Sequence, residues 1–324
     1  MSNVTLKYLS RADLESLKIT MAEVMEVVEE GFRRKAMGET QMTSKAFITP
    51  RGGEAGMMSM AAYVGGMDAA AIKWLGWATG NRQRGLPLHT GLVILNDPDT
   101  SLPMSVMDAG WVTAMRTGAA SGVAMKYLGP SQAAIGAVIG CGVEGRSNLS
   151  AMHTCYPELA ELRCYDIFDA ALEAFVEESR RQYDFTVTPV GSPQAAVEEA
   201  DVVVTAGSTG ATPFLKQEWL KAGAMAVPVD LFGAWEVELA MQVDKLVTDD
   251  YEKFDSFRSS ERLKDLPQPY AELGEIVAGD KPGRETPQER TMSILGGIPV
   301  DDAVAAHLAY TRAVEQGVGV TLPL

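Results

Sequence analysis

Histidine and cysteine are scarce in this 324-residue chain, with three of each. Cys141, Cys155 and Cys164 are odd in number, lack metal-ligand spacing and fall in or near apolar segments. They read as thiols of a reducing compartment, not as a disulfide framework, and no metal site is expected. Positive charge is also short, 28 Lys and Arg against 43 Asp and Glu, for a net charge of −15. A phosphate backbone or an anionic membrane would be repelled overall, so neither nucleic acid nor membrane is an expected partner. No uninterrupted apolar stretch approaches the roughly 18 residues of a membrane span. Residues 1–6 show no basic segment followed by an apolar run, so no secretory leader is expected and a cytoplasmic location is. Internal repeats and low-complexity tracts are missing too. What remains is ordinary globular material, 46% hydrophobic, with a length that suits two domains.

The most informative segment is Ile135–Gly145, an apolar run ending in Gly140-x-Gly142-x-x-Gly145. Gly140 permits a tight strand-to-helix turn, Gly142 lets the backbone approach a pyrophosphate, and Gly145 lets helix and strand pack closely. The helix N-terminus, with Val143 and Glu144 in its first turn, offers unpaired N–H groups to an anion. Asp166 ends a second apolar run, Leu162–Tyr165, about 20 residues beyond the last glycine. A carboxylate there accepts from a ribose 2′-OH and repels a 2′-phosphate. NAD is therefore the expected cofactor, in preference to NADP. Ala206, Gly207 and Ser208, after the strand Val202–Ala206, complete the expected cofactor-binding set.

Organisation follows from texture. Ser10 is a candidate N-cap after a short strand Thr5–Leu9, and Met21–Met37 has helical spacing with acids early and bases late. Residues 45–108 break into short apolar runs such as Ala69–Trp74 and Thr90–Leu95, a mostly β segment. Ala109–Leu128 reads as a linking helix. From Gln132 to about Asp250 strands alternate with helices, including Gln217–Lys221, which implies βαβ units and a doubly wound parallel sheet. Lys253–Glu289, polar and proline-punctuated, looks like a lid or return connection, and Ala303–Gln316 like a final amphipathic helix. The expected fold class is α/β: a Rossmann domain over residues 116–290, plus an α+β substrate and dimerisation domain from residues 1–115 and 291–324.

Lys73, Asn81-x-x-x-Gly85-Leu86-Pro87, the block Thr113–Ala119 around Arg116, and Asp230-x-x-Gly233-x-x-Glu236 together resemble the ornithine cyclodeaminase/μ-crystallin family. The closing stretch Gly297–Asp302 fits the same pattern, so the resemblance runs through nearly the whole chain. It implies that Lys73 and Arg116 bind a substrate carboxylate, with Lys45 where many members place a carboxylate-binding arginine. It also implies that Asp230 is the catalytic aspartate, with Lys73 beside it in the catalytic set, and that the protein is a homodimer. Chemistry independently favours such a clamp, because an amino or imino acid must present one face of Cα to the nicotinamide. Lys73 lies between Ile72 and Trp74, and Arg116 in an otherwise uncharged stretch of helix, both poor places for idle surface charge.

Three departures bear on the activity. Arg146-Ser147 replace the usual Gln-Ala pair after the glycines, and Phe232-Gly233-Ala234 replace Pro-Gly-Lys after the aspartate. Where cyclodeaminases carry a glutamate, this chain has Gly56-Met57-Met58-Ser59, which weakens the case for ring-closing ammonia elimination. The expectation is an NAD-dependent reductase of a small imino acid, reversible as an amino-acid dehydrogenase, with iminosuccinate to aspartate as the named candidate. Alanine dehydrogenase, cyclodeaminase and a μ-crystallin-type binding protein remain the alternatives. Arg82 and Arg84 read as solvated loop charges and His89 as a structural histidine.

Overall fold

The computed structural model describes residues 4–207 and 212–324. Ser208, expected at the cofactor, lies outside the described residues, as does the side chain of Arg82. The chain divides into two compact units, Met1–Arg116 with Ile298–Leu324, and Thr117–Gly297.

The first unit opens with β1 (Thr5–Leu9), α1 (Arg11–Ser16) and α2 (Met21–Ala36). Both helices start as read: Ser10 and Thr20 form capping boxes with Asp13 and Glu23. There follow β2 (Thr40–Met42), β3 (Ala46–Ile48), β4 (Ala55–Val64), β5 (Ala69–Ala78), β6 (His89–Asn96) and β7 (Pro103–Asp108). Helix α3 (Ala109–Leu128) has the expected bounds, and the division between the units falls within it. The chain's last elements, α10 (Pro299–Gln316) and β16 (Val320–Pro323), return to this unit. Its sheet runs β16-β1-β7-β6-β5-β4-β2, with β3 also on β4. Helix α10 packs across β4, β5 and α2. Strand alternation therefore sends Lys73, Leu75 and Val93 inward, while Ile72, Trp74, Leu92 and Ile94 face out.

In the second unit β8 (Ile135–Ile139), α4 (Val143–Cys155), β9 (Glu161–Tyr165), α5 (Asp169–Gln182) and β10 (Thr186–Pro189) come first. Then come α6 (Pro193–Val197), β11 (Val202–Thr205), β12 (Met225–Pro228), α7 (Val237–Ala240), β13 (Lys245–Thr248) and α8 (Tyr251–Arg258). Strand β14 (Ala271–Glu272), helix α9 (Leu273–Ala278) and β15 (Thr291–Ile294) finish it. All pairings are parallel, in the order β10-β9-β8-β11-β12-β15-β13-β14. The order reverses between β8 and β11, the switch point at which Rossmann sheets bind ligands.

The return connection takes a definite form, and two helix readings need correction. Residues 253–289 carry α8, β14 and α9, and they return the chain so that β15 enters the sheet between β12 and β13. The second unit consequently extends to Gly297, past the expected boundary at 290. The final helix starts earlier than Ala303, because Pro299 occupies its first turn and Asp301 caps the Ile298 amide. The helix expected over Gln217–Lys221 is only a 3₁₀ turn, Gln217–Trp219. Among the described residues no helix is long and apolar enough to cross a membrane.

Candidate functional site

In the second unit the three glycines of the turn have three separate physical reasons. Gly140 adopts φ +99°, and a Cβ on it would lie 2.5 Å from the Ala206 carbonyl carbon. A Cβ at Gly145 would sit 2.2 Å from the Gly140 oxygen, so α4 can approach the turn only there without a side chain. At Gly142 nothing lies within 4 Å of where a Cβ would stand. Gly142 is the N-cap of α4 and supplies no side-chain cap, so the first-turn amides of Val143 and Glu144 open onto that space. This is a cradle that a pyrophosphate fits and that a side chain would fill.

Asp166, the expected ribose acceptor, also braces the turn. Its Oδ2 accepts from the Cys141 amide at 2.7 Å and its Oδ1 from the Phe168 amide at 2.9 Å, tying the tip of β9 to the glycine turn. Each carboxylate oxygen can accept a second bond, so a ribose hydroxyl still has an acceptor. Arg146 braces the same turn by donating to the carbonyls of Cys141 and Gly142, and it pairs with Glu178 at 2.6 Å. Ala206 and Gly207 follow β11, where Ala206 bounds the space beside Gly140.

Asp230 stands two residues past β12, at the carboxyl edge of the parallel sheet, and is 4% exposed. Its Oδ1 accepts from the Thr205 hydroxyl and its Oδ2 from the Ala234 amide, each at 3.1 Å. Trp235 Nε1 donates to the Thr205 hydroxyl oxygen at 3.1 Å, which orients that hydroxyl toward the carboxylate. Burial pushes the Asp230 carboxyl up to about 6, against the pull of these hydrogen bonds. The turn that follows is strained, since Leu231 and Phe232 hold φ of 53° and 65°, a region that side chains avoid. The turn is held by packing, since Phe232 is fully buried, and by Arg262, whose guanidinium donates to the Phe232 carbonyl at 2.9 Å.

In the first unit, Lys73 on β5 is completely buried and Arg116 on α3 nearly so. Lys73 Nζ donates to Asp302 Oδ1 at 2.7 Å and to the Thr113 hydroxyl at 3.2 Å. Arg116 Nε donates to the same Asp302 Oδ1 at 3.0 Å. Lys45, half-buried between β2 and β3, adds its charge to the field at Asp302. The structure thus brings Lys73 and Arg116 together on one aspartate, which reasoning from the sequence passed over as a residue of the site, with Lys45 adding its charge there. Asp302 carried one signal, its place in the closing Gly297–Asp302 stretch. His89 on β6 lies opposite Trp77 on β5 and near Lys73. Partial desolvation, and then the Lys73 charge, hold its imidazole below the ordinary range.

Gly56 pairs with Trp77 across β4 and β5, and a Cβ on it would fall 2.1 Å from the indole ring. Indole therefore fills the space a side chain would need.

Comparison with known proteins agrees with this architecture. The chain is 32% identical to an alanine dehydrogenase of Archaeoglobus fulgidus over 319 residues, which is 96% of each protein. The structure of Thermococcus litoralis Δ1-pyrroline-2-carboxylate reductase, in complex with NADH and L-proline, superposes with a TM-score of 0.91 at 33% identity. That match covers 97% of this chain and 99% of the reductase. An archaeal alanine dehydrogenase dimer with bound NAD gives a TM-score of 0.88 at 30% identity, covering 99% and 100%. Residues 6–317 match the family as a whole, and the chain belongs to the ornithine cyclodeaminase/mu-crystallin family.

Proposed function

We propose that this protein is an NAD-dependent oxidoreductase acting on CH–NH2 and C=N groups, and that it reduces a small imino acid reversibly. Lys73 and Arg116 take the substrate carboxylate, Arg116 with two N–H groups and Lys73 as a point charge. Asp230 serves the nitrogen: as an anion it accepts a proton from the ammonium in oxidation, and protonated it returns one as C=N becomes C–N. NAD(H), when bound, exchanges the hydride; Gly140, Gly142, Val143, Glu144, Gly145, Asp166, Ala206 and Gly207 would hold it. The observation that carries the reading is the buried convergence of Lys73 and Arg116 on Asp302.

Lys45 adds a third cation to that cluster, which favours a substrate with two carboxylates, and iminosuccinate going to aspartate is the named candidate. The second reading is alanine dehydrogenase, supported by the 32% identity to the Archaeoglobus enzyme. Cyclodeamination is disfavoured because Trp77 occupies the space over Gly56. A panel of oxo acids with ammonia and NADH, followed by NADH consumption, tests all of these. Turnover best with oxaloacetate supports iminosuccinate, best with pyruvate supports the second reading, and none with any member defeats the reductase reading.

A homodimer is the proposed assembly. Exposed Trp74 pairs with Leu92 and exposed Ile72 with Ile94, and the row continues through Val106 to Tyr8 and Val320. Such a contiguous apolar face fits a second copy of the same chain. Trp74→Asp should yield a monomer by light scattering, and an unaltered dimer would place the interface elsewhere.

A further inference from the structure

We propose that Asp302 is the positioning residue of the carboxylate clamp, holding Lys73 and Arg116 in one fixed arrangement through a single oxygen. The proposal rests on the reading of Lys73 and Arg116 as the groups that bind the substrate carboxylate. A lysine ammonium on a flexible four-carbon stem has no intrinsic direction, and a completely buried one without a counter-charge would lose its proton. Asp302 supplies both direction and charge. Its Oδ1 takes Lys73 Nζ and Arg116 Nε together, which brings the ammonium and the guanidinium to one point. Its Oδ2 is buried with no hydrogen-bond partner among the described residues. A carboxylate that only satisfied the fold would be expected to use both oxygens, since an orphaned one is costly. Loading both cations onto one oxygen makes sense where their relative placement matters.

Asp302 is itself well anchored. It lies in the first turn of α10, behind Pro299 and the Asp301 cap on the Ile298 amide, and α10 packs across β4 and β5. Burial raises its carboxyl, yet the charges of Lys73, Arg116 and Lys45 hold it below the usual range, so it stays an anion. Among the described residues, the groups facing Lys73 include Thr113 and Arg116 from α3, Asp302 from α10, and His89 from β6. Met60 and Val93 lie opposite it on the flanking strands.

Binding of succinate and of pyruvate to the NAD-loaded enzyme, measured calorimetrically, reads the proposal without needing turnover. Lys73→Met leaves Asp302 to neutralise Arg116 and should weaken carboxylate binding strongly. Adding Asp302→Asn removes that competition and should restore about tenfold of the affinity. In Asp302→Asn alone, carboxylate binding should weaken with rising pH at least one pH unit earlier than in wild type, because Lys73 has lost its counter-ion. A purely structural aspartate would lower thermal stability and leave both readouts unmoved. Should Asp302→Asn alone fail to fold, the Lys73→Met and double-variant comparison stands alone, since the double variant strands one buried cation where the single variant strands two. Wild-type binding with no recovery in the double variant overturns the proposal. If wild type binds neither acid, the clamp reading falls and this proposal with it.

Discussion

Two buried aspartates, one in each unit, are pushed in opposite directions. Asp302 in the first unit is fully buried and yet held below the usual carboxylate range, because Lys73 and Arg116 stand against it. Asp230 in the second unit is almost as buried, has only hydrogen bonds to oppose desolvation, and rises to about 6. Burial alone therefore does not decide protonation; the charge of the partners does. The difference assigns different work. A carboxylate that never takes up a proton near neutral pH suits holding cations, and one poised near neutrality suits moving a proton.

The same substitution should separate them most sharply. Asp230→Asn removes the proposed proton-handling group, and kcat should fall by about 10²–10⁴-fold with NAD binding intact. Stability should move the other way. A carboxyl raised from 3.8 to about 6 contributes stability that is present below its unfolded value and lost as pH rises through 6. At neutral pH its charge is therefore a burden, and Asp230→Asn should gain up to about 3 kcal/mol, less the hydrogen bond the amide cannot accept. That gain should vanish below about pH 4, near the unfolded carboxyl value. Asp302 has the opposite sign, because its carboxyl is depressed and contributes stability above the unfolded value. Asp302→Asn should cost about 3–5 kcal/mol at neutral pH by stranding two buried cations. Thermal melts of both variants across pH check the pair, and equal signs would break the comparison.

A smaller effect sharpens the clamp side. If Lys45 meets a second carboxylate, Lys45→Met should depress kcat/KM for oxaloacetate plus ammonia about 10–150-fold more than for pyruvate plus ammonia. An unchanged ratio would remove Lys45 as the reader of a distal carboxylate. Smaller still, Asp166→Ser should narrow the preference for NAD over NADP by about tenfold. It should also weaken both cofactors, since the variant loses the bonds from Cys141 and Phe168. A preference that does not change would leave Asp166 as a brace of the turn alone.

The two units also differed in how far their residues disclosed them. The cofactor turn is local: strand, glycines, helix and aspartate fall within 32 residues of one another, and each glycine constraint acts over a few bonds. Alternating apolar texture likewise carried β9, β10, β13 and α3 to their observed bounds. Asp302 was hidden because its partner Lys73 is 229 residues away, and no periodicity encodes a pairing across that distance. Strand β15 was hidden for a related reason. Its four residues, Thr291–Ile294, follow a polar, proline-rich stretch, and only neighbours on both sides make them a strand. The β16 edge strand is exposed along its length and has no buried face to mark it. Lys73 and Arg116 were recognisable as charges in apolar settings, but the aspartate on which they converge was not.

The central claim is that Asp230 handles the proton on the substrate nitrogen, and the pH dependence of kcat/KM for amino-acid oxidation tests it most directly. Wild type should rise along an acid limb centred near pH 6 and then level as the Asp230 carboxylate forms. Asp230→Asn should lose that limb along with most of its rate. The same limb persisting in Asp230→Asn would show that another group carries the proton, and would contradict the account.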